Sequence, residues 1–87
     1  MKIKRGFVLM KVGIQNVVVA VDDMADKFNG MIRLNETGEF LWKMLQEEST
    51  EEQMTIALAQ ECNVSEEEAR PGVEAFVAKL TEAGVIE

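Results

Sequence analysis

The spacing of apolar residues changes near residue 35, and this change limits the folds that the chain can adopt. Before it, β-branched and aliphatic residues stand in short runs, which are typical of strands. After it, apolar residues recur every three to four positions, which is typical of amphipathic helices. In a chain of 87 residues, this order predicts one α+β domain: a three-stranded antiparallel sheet in residues 1–35, followed by three helices in residues 36–87 that cover one sheet face.

The first two predicted strands form a hairpin. Phe7 to Val12 is mostly apolar, and Val17 to Val21 is almost all β-branched. Gly13-Ile14-Gln15-Asn16, between them, is typical of a turn, because Gly and Asn tolerate positive φ. Such close spacing predicts that the two strands are antiparallel neighbours.

A short third strand follows a polar connector. The connector runs from Asp22 to Gly30 and ends in Asn29-Gly30, a strong turn signal. Met31 to Leu34 is the predicted strand. Alternation places Ile32 and Leu34 on one face of the sheet and Met31 and Arg33 on the other.

Capping residues mark the start of each predicted helix. Asn35 precedes a helix that runs to about Gln46. The segments 50–53 and 65–68 are complete capping boxes, with Thr or Ser at the cap and Gln or Glu three residues later. They predict a second helix to about Glu61 and a third helix, whose inward stripe is Ala69, Val73, Phe76, Val77, Leu80 and Ala83.

Two features shape the third helix. Gly84 fits the left-handed position after its last turn, and Val85 is placed to fold back onto it. Pro71 falls inside the helix, where it removes the hydrogen bond to the carbonyl of Glu67. We therefore expect a kink at Pro71, or a detached turn before a helix that starts nearer Arg70.

Composition excludes several classes of function. The net charge is −7, which argues against nucleic acid and anionic membranes as partners. The chain has no His and one Cys, so most acid–base pairs, most metal sites and every intramolecular disulfide are excluded. No signal peptide or membrane span is recognisable. We expect a cytoplasmic protein that is not an enzyme and that holds no metal and no cofactor.

Two residue sets could carry chemistry, but ordinary structural roles explain them better. Cys62 follows Glu61, whose charge opposes thiolate formation, and no His is available to activate it. The triad Asp22, Asp23 and Asp26 lacks the Gly and the Glu of a calcium loop. We interpret Cys62 as a semi-buried structural thiol and the three Asp residues as part of a solvated connector.

A sheet edge remains as the candidate site. The third strand leaves one row of backbone groups unpaired, and the last helix could form a groove beside it for an extended peptide. Val73, Val77 and Leu80 would then supply pockets for peptide side chains. From the residues alone, a blunted edge and a peptide-binding edge are equally good interpretations.

The order of elements is also similar to that of a winged helix-turn-helix. Charge weighs against DNA binding, because the helix expected to enter a groove, 66–83, has only Arg70 and Lys79 against five Glu residues. A DNA-binding surface neutralises about six to ten phosphates.

Three segments of the sequence resemble the PqqD family. They are FNGMIRLNETGEFLWKML at 28–45, TEEQ at 50–53 and SEEEARPGVEAFVAKLTEAGVIE at 65–87. The LNETG block and the Leu-Trp pair that follows it are the most specific part, and together the segments span most of the chain. The chain departs from the family at Pro71-Gly72, near which an acidic residue is common.

The resemblance implies a function. PqqD-like domains are recognition elements for ribosomally made, modified peptides (RiPPs): they bind the leader segment of a precursor and present it to a modifying enzyme, often a radical-SAM protein. The leader adds as a fourth strand beside the third. The resemblance assigns pairing to Met31, Ile32, Arg33 and Leu34 and groove contacts to Arg70, Val73, Val77 and Leu80; it implies no catalytic residue.

The alternative is an adaptor or homodimer that uses the same edge without binding a leader.

Overall fold

A computed structural model describes residues 1–26 and 30–87 of the chain. Its elements are, in order, β1 (Phe7–Val12), β2 (Gln15–Ala20), a 3-10 helix (Asp22–Asp26), β3 (Met31–Leu34), α1 (Glu36–Met44), α2 (Glu51–Cys62) and α3 (Glu66–Glu82). The strands form one antiparallel sheet in the order β1-β2-β3. The predicted α+β fold is confirmed.

The hairpin turn is tighter than predicted. Val12 pairs with Gln15, which leaves only Gly13 and Ile14 in the loop. Gly13 has φ +65°, and a glycine at the first central position permits a two-residue turn that matches the twist of the strands. Gln15 and Asn16 therefore belong to β2 rather than to the turn.

The connector after β2 is partly helical. Asp22, at φ +55°, opens the 3-10 helix Asp22–Asp26, where we expected an irregular polar segment. Asn29, the first residue of the predicted Asn29-Gly30 turn, lies outside the described residues. Gly30 has φ +123°, a conformation that favours glycine.

Burial alternates along β3 as predicted, but not along β2, where Asn16, Val17 and Val18 are all buried. On β3, Ile32 and Leu34 are buried while Met31 and Arg33 are exposed. The inner face joins the helices in one core, whose buried members include Phe7, Val18, Leu41, Trp42, Leu45, Met54, Leu58, Val73, Phe76 and Leu80.

All three helices begin at the predicted caps. Asn35 Oδ1 accepts from the Gly38 amide at 2.8 Å. Thr50 and Gln53 form a complete capping box, as do Ser65 and Glu68. Each satisfied amide removes one orphan donor of a first turn, which explains why these starts could be located from sequence.

The third helix is not divided at Pro71. It runs as one element from Glu66 to Glu82, so the detached first turn that we expected is absent from α3. The Ser65 box holds that turn, and Pro71 is exposed, so its ring needs no room in the core.

The predicted end of α3 is confirmed. The amides of Gly84 and Val85 donate to the carbonyls of Thr81 and Leu80 at 3.0 and 2.9 Å, which is the Schellman pattern. Gly84 has φ +77° and Val85 is fully buried.

The N-terminal segment closes the core by long-range contacts that local patterns did not predict. Ile3 forms an antiparallel bridge with Ile86. The Ile3 amide donates to Leu45 and the Lys4 amide to Val85, at 3.0 and 2.8 Å. The two ends of the described chain therefore lie side by side.

The predicted environment of Cys62 is wrong. Cys62 is a free, exposed thiol in the last turn of α2, beyond Ala59, the last buried residue of that helix. No helix in the described part of the chain is long and apolar enough to cross a membrane.

Candidate functional site

An open groove of about 670 Å³ lies between the end of the sheet and the last helix. Three parts of the chain line it. They are the hairpin end (Ile14, Gln15, Asn16), the passage from β3 into α1 (Arg33, Leu34, Asn35, Thr37, Gly38) and one side of α3 (Gly72, Ala75, Phe76, Lys79).

The α3 wall of the groove follows a single helical stripe. Gly72, Ala75, Phe76 and Lys79 are spaced three, four and seven residues from the first, so they share a face. Gly72 and Ala75 have little bulk, which leaves space beside the helix backbone. Phe76 provides an apolar surface, although only 6% of it is exposed because most of the ring belongs to the core.

The α3 residues that were predicted to contact a ligand do not line the groove. Val73 and Leu80 are fully buried in the core. Val77 is partly buried and packs against the same core. The Arg70 guanidinium contacts Glu52 of α2 at 3.4 Å. None of the four lines this groove, because the lining stripe is offset by one residue from the core stripe.

The backbone of β3 divides into two sets of groups. The Val21 amide donates to Gly6 at 2.7 Å, which fixes the alternation of the hydrogen-bond ladder across the sheet. With the observed registers, the backbone groups of Ile32 and Leu34 point to β2. The backbone N–H and C=O groups of Met31 and Arg33 point to the free edge. The edge predicted from sequence therefore offers the backbone groups of these two residues to an added strand.

A lysine crosses from α3 to this edge. Lys79 Nζ donates to the backbone carbonyl of Arg33 at 3.1 Å. This bond independently places the Arg33 carbonyl on the open side of β3. In the sequence, Lys79 is recognisable only as a charge on α3. Its position seven residues after Gly72, on one helix face with Ala75, is the signal that connects it to the groove.

Asn16 contributes a buried polar group next to the groove. Its Nδ2 donates to Glu39 Oε1 at 3.3 Å, while its Oδ1 is buried with no hydrogen-bond partner among the described residues. An unsatisfied buried acceptor costs about 1–3 kcal/mol. Asn16 therefore has a free acceptor that a nearby donor would satisfy.

The charged side chains of the lining are both cationic, in a chain whose net charge is −7. They are Arg33 and Lys79, and neither has a described carboxylate oxygen within 4.0 Å. Glu39, adjacent through Asn16, is paired with Lys43 at 3.6 Å. The groove is therefore locally cationic.

The outer face of the sheet carries exposed apolar side chains on its two edge strands, while Val17 of the central strand β2 is buried. Val8, Met10 and Val12 of β1 and Met31 of β3 are each more than a third exposed. Met31 and Arg33 lie on this face at the free edge of β3. Clustered exposed apolar residues are typical of protein contact sites.

The groove supplies binding groups. It offers a strand edge that has no neighbouring strand in the part of the chain that the structure describes, an apolar wall and two cations. Among the described residues, no group of three His, Cys, Asp or Glu side chains is placed to hold a metal ion.

These features define a class of small α+β domain in which an edge strand faces the last helix across an open groove. The sequence model of PqqD, described as coenzyme PQQ synthesis protein D, matches residues 13–86. The chain belongs to the PqqD family, as its motifs indicated.

A solved structure shares the fold. It is described as TbiB1 in complex with the TbiA(beta) leader peptide, and it matches with a TM-score of 0.76 and 20% sequence identity. The match covers 100% of this chain and 95% of that one. No curated protein matches the chain.

Proposed function

We propose that this domain is a non-catalytic RiPP recognition element that binds the leader of a precursor peptide and presents it to a modifying enzyme. The observation that carries the proposal is the open groove between α3 and the end of β3, where Arg33 and Leu34 line it. Membership of the PqqD family and the fold shared with TbiB1, which was solved with a leader peptide, support it.

In this proposal the leader adds to β3 as a fourth strand. The segment Met31–Leu34 provides the edge, and the backbone groups of Met31 and Arg33 make the hydrogen bonds. Ile32 and Leu34 hold β3 on β2 and in the core. Strand addition obtains its affinity from main-chain bonds, and pockets beside the edge give specificity.

Peptide side chains that point towards α3 would lie over Gly72 and Ala75 and against Phe76. We assign the contacts on α3 to this stripe. Val73, Val77 and Leu80 support the groove from the core, and Arg70 lies on the α2 side.

We assign the enzyme contact to the outer face of the sheet. Val8, Met10 and Val12 leave apolar surface there. Met31 lies on the same face of the sheet at the β3 edge, so an enzyme bound across this face would lie beside the bound leader. A radical-SAM protein is the enzyme class that the family resemblance implies. The proposed compartment is the cytoplasm, where an exposed thiol such as Cys62 stays reduced.

An NMR titration tests leader binding. ¹⁵N-labelled protein would be titrated with the leader of the precursor peptide encoded beside its gene. We expect the largest shifts in Gly30 to Leu34 and in Gly72 to Lys79, with micromolar affinity, about −8 kcal/mol. Saturating leader without shifts in either segment would reject the proposal.

The same free edge is equally open to a second copy of the chain, which is the alternative function. A homodimer or adaptor of this kind would show a mass that rises with concentration in light scattering. Leader peptide would not dissociate it. A monomer that binds leader excludes the alternative.

A further inference from the structure

Lys79 occupies the edge that the proposed function requires. Resting on that proposed function, we propose that Lys79 is a displaceable cap on β3 and that it selects leaders with an acidic side chain in the segment that pairs. The bond from Lys79 Nζ to the Arg33 carbonyl, 3.1 Å long, is the starting observation.

The first step is a conflict of position. In an antiparallel ladder, the amide nitrogen of the incoming strand lies about 2.9 Å from the carbonyl oxygen that accepts its proton. Lys79 Nζ is at nearly this distance from the Arg33 carbonyl. Both nitrogens donate to the same carbonyl oxygen from the open side of β3, so we expect the ammonium to move aside when the leader pairs at Arg33.

The second step is the fate of the displaced charge. Among the described residues, no carboxylate lies within 4.0 Å of Lys79 Nζ. The other polar side chains of the lining, apart from Arg33, are neutral. An ammonium confined between α3 and a bound peptide loses part of its hydration, and this loss disfavours binding unless an anion is supplied.

The third step identifies that anion. The leader itself is the component that enters the groove, so a Glu or Asp side chain facing α3 would pair with the released lysine. A charge-assisted hydrogen bond of this kind is about twice as strong as a neutral one. Lys79 therefore accounts for both the cap and the selectivity. A leader that displaces Lys79 from the Arg33 carbonyl replaces that bond with a new one if it carries an acidic side chain, and a neutral leader does not.

A lysine on a strand edge can have a simpler role, since lysines often blunt edges against unwanted pairing. Blunting alone predicts that removal of Lys79 strengthens the binding of every peptide. Selection by charge predicts opposite effects on acidic and neutral peptides. The two roles are therefore separable by experiment.

The test uses terminally blocked leader peptides, so that no terminal carboxylate substitutes for a side chain. Each Glu or Asp in the pairing segment is changed singly to Gln or Asn. Affinities are measured for the wild type, Lys79→Met and Lys79→Arg, with Lys2→Met as a control for charge away from the groove. Lys79 is exposed, and a thermal melt confirms that each variant is folded.

We expect one acid-to-amide change to weaken wild-type binding about tenfold, equivalent to about 1.4 kcal/mol. Lys79→Arg and Lys2→Met keep this preference. Lys79→Met loses it, and binds the amide peptide at least as tightly as the wild type does, because no cap has to leave.

Three results would overturn the inference while leaving the proposed function intact. They are wild-type affinities that agree within twofold across the peptides, a preference that persists in Lys79→Met, and tight binding of a leader that has no acidic residue in the pairing segment. Absence of binding by every peptide to every variant would instead reject the proposed function.

Discussion

Gly72 and Val73 are neighbours in α3 and face different parts of the molecule. Gly72 lines the open groove, whereas Val73 is fully buried in the core. This one-residue offset separates the part of α3 that is available to a ligand from the part that holds the fold together.

Gly72→Ala should stabilise the protein. A β-carbon at this position would meet Thr37 Cγ2 at 3.9 Å and Leu58 Cδ2 at 4.0 Å, which are ordinary contacts. Alanine is favoured over glycine inside a helix by about 0.8–1.0 kcal/mol. Chemical denaturation should therefore show a rise of about that size in the free energy of unfolding. A fall would mean that a methyl group at this position clashes with Thr37 or Leu58.

Gly38→Ala is the matched substitution in α1 and should have the opposite sign. Its β-carbon would lie 3.1 Å from Leu34 Cβ and 3.2 Å from Leu34 Cδ2. Both atoms belong to Leu34, a buried residue of β3. Overpacking of this kind destabilises by about 1–3 kcal/mol, which equals or exceeds the gain of about 0.8–1.0 kcal/mol from the helix propensity of alanine, so the same denaturation assay should show a lower midpoint. An unchanged midpoint would show that β3 can shift away from α1.

Gly72→Leu should obstruct the groove and leave the fold intact. The larger side chain fills space beside the α3 backbone where we place the leader. Isothermal titration should show at least a tenfold weaker affinity for the leader. The control is Glu74→Leu, which adds an exposed leucine to α3 at a position outside the groove lining; equal losses in both variants would argue against this placement of the leader.

Asn16→Leu should affect stability and binding differently. It removes a buried acceptor that has no described partner, so the free protein should lose little stability or gain up to about 1 kcal/mol. If the leader donates a hydrogen bond to Asn16 Oδ1, leader affinity should fall severalfold. Gln60→Leu, which replaces an exposed amide side chain outside the groove lining, is the control. A loss of more than about 2 kcal/mol in stability would show that the bond to Glu39 matters more than the unpaired acceptor.

Met10→Glu tests the proposed enzyme surface. A charge on the outer face of the edge strand β1 should weaken an apolar contact with the modifying enzyme and leave the groove unchanged, because Met10 lies outside the groove lining. We expect slower modification of the precursor in a reconstituted reaction and unaltered leader affinity. Gln60→Glu, exposed on α2, introduces the same charge elsewhere. Modification that slows equally in both variants would contradict the assignment.

Local signals predicted most of the fold. The helix starts at Thr50 and Ser65 and the end at Gly84 depend on side chains within a few residues, so sequence patterns located them. The detached first turn, one of the two outcomes expected at Pro71, is not present, because the cost of one missing hydrogen bond is local and the rest of α3 is anchored by the core. The bridge between Ile3 and Ile86 joins the two ends of the described chain, and no local pattern reveals it.

The groove was predicted only in part. The identity of its edge strand followed from the order of the strands and from alternation. The side of α3 that faces it depends on how the helix is rotated against the sheet, and periodicity alone does not distinguish the residues of a buried stripe from those beside it. For this reason Val73 and Leu80 were expected in the groove where Gly72 and Lys79 lie.

Hydrogen exchange at the β3 edge tests strand addition most directly. The alternation of the ladder places the Ile32 amide on β2 and the Met31 and Arg33 amides on the free edge. NMR-detected exchange with saturating leader should therefore slow strongly at Met31 and Arg33 and change little at Ile32. Exchange at Met31 and Arg33 that stays as fast as in the free protein would contradict the account.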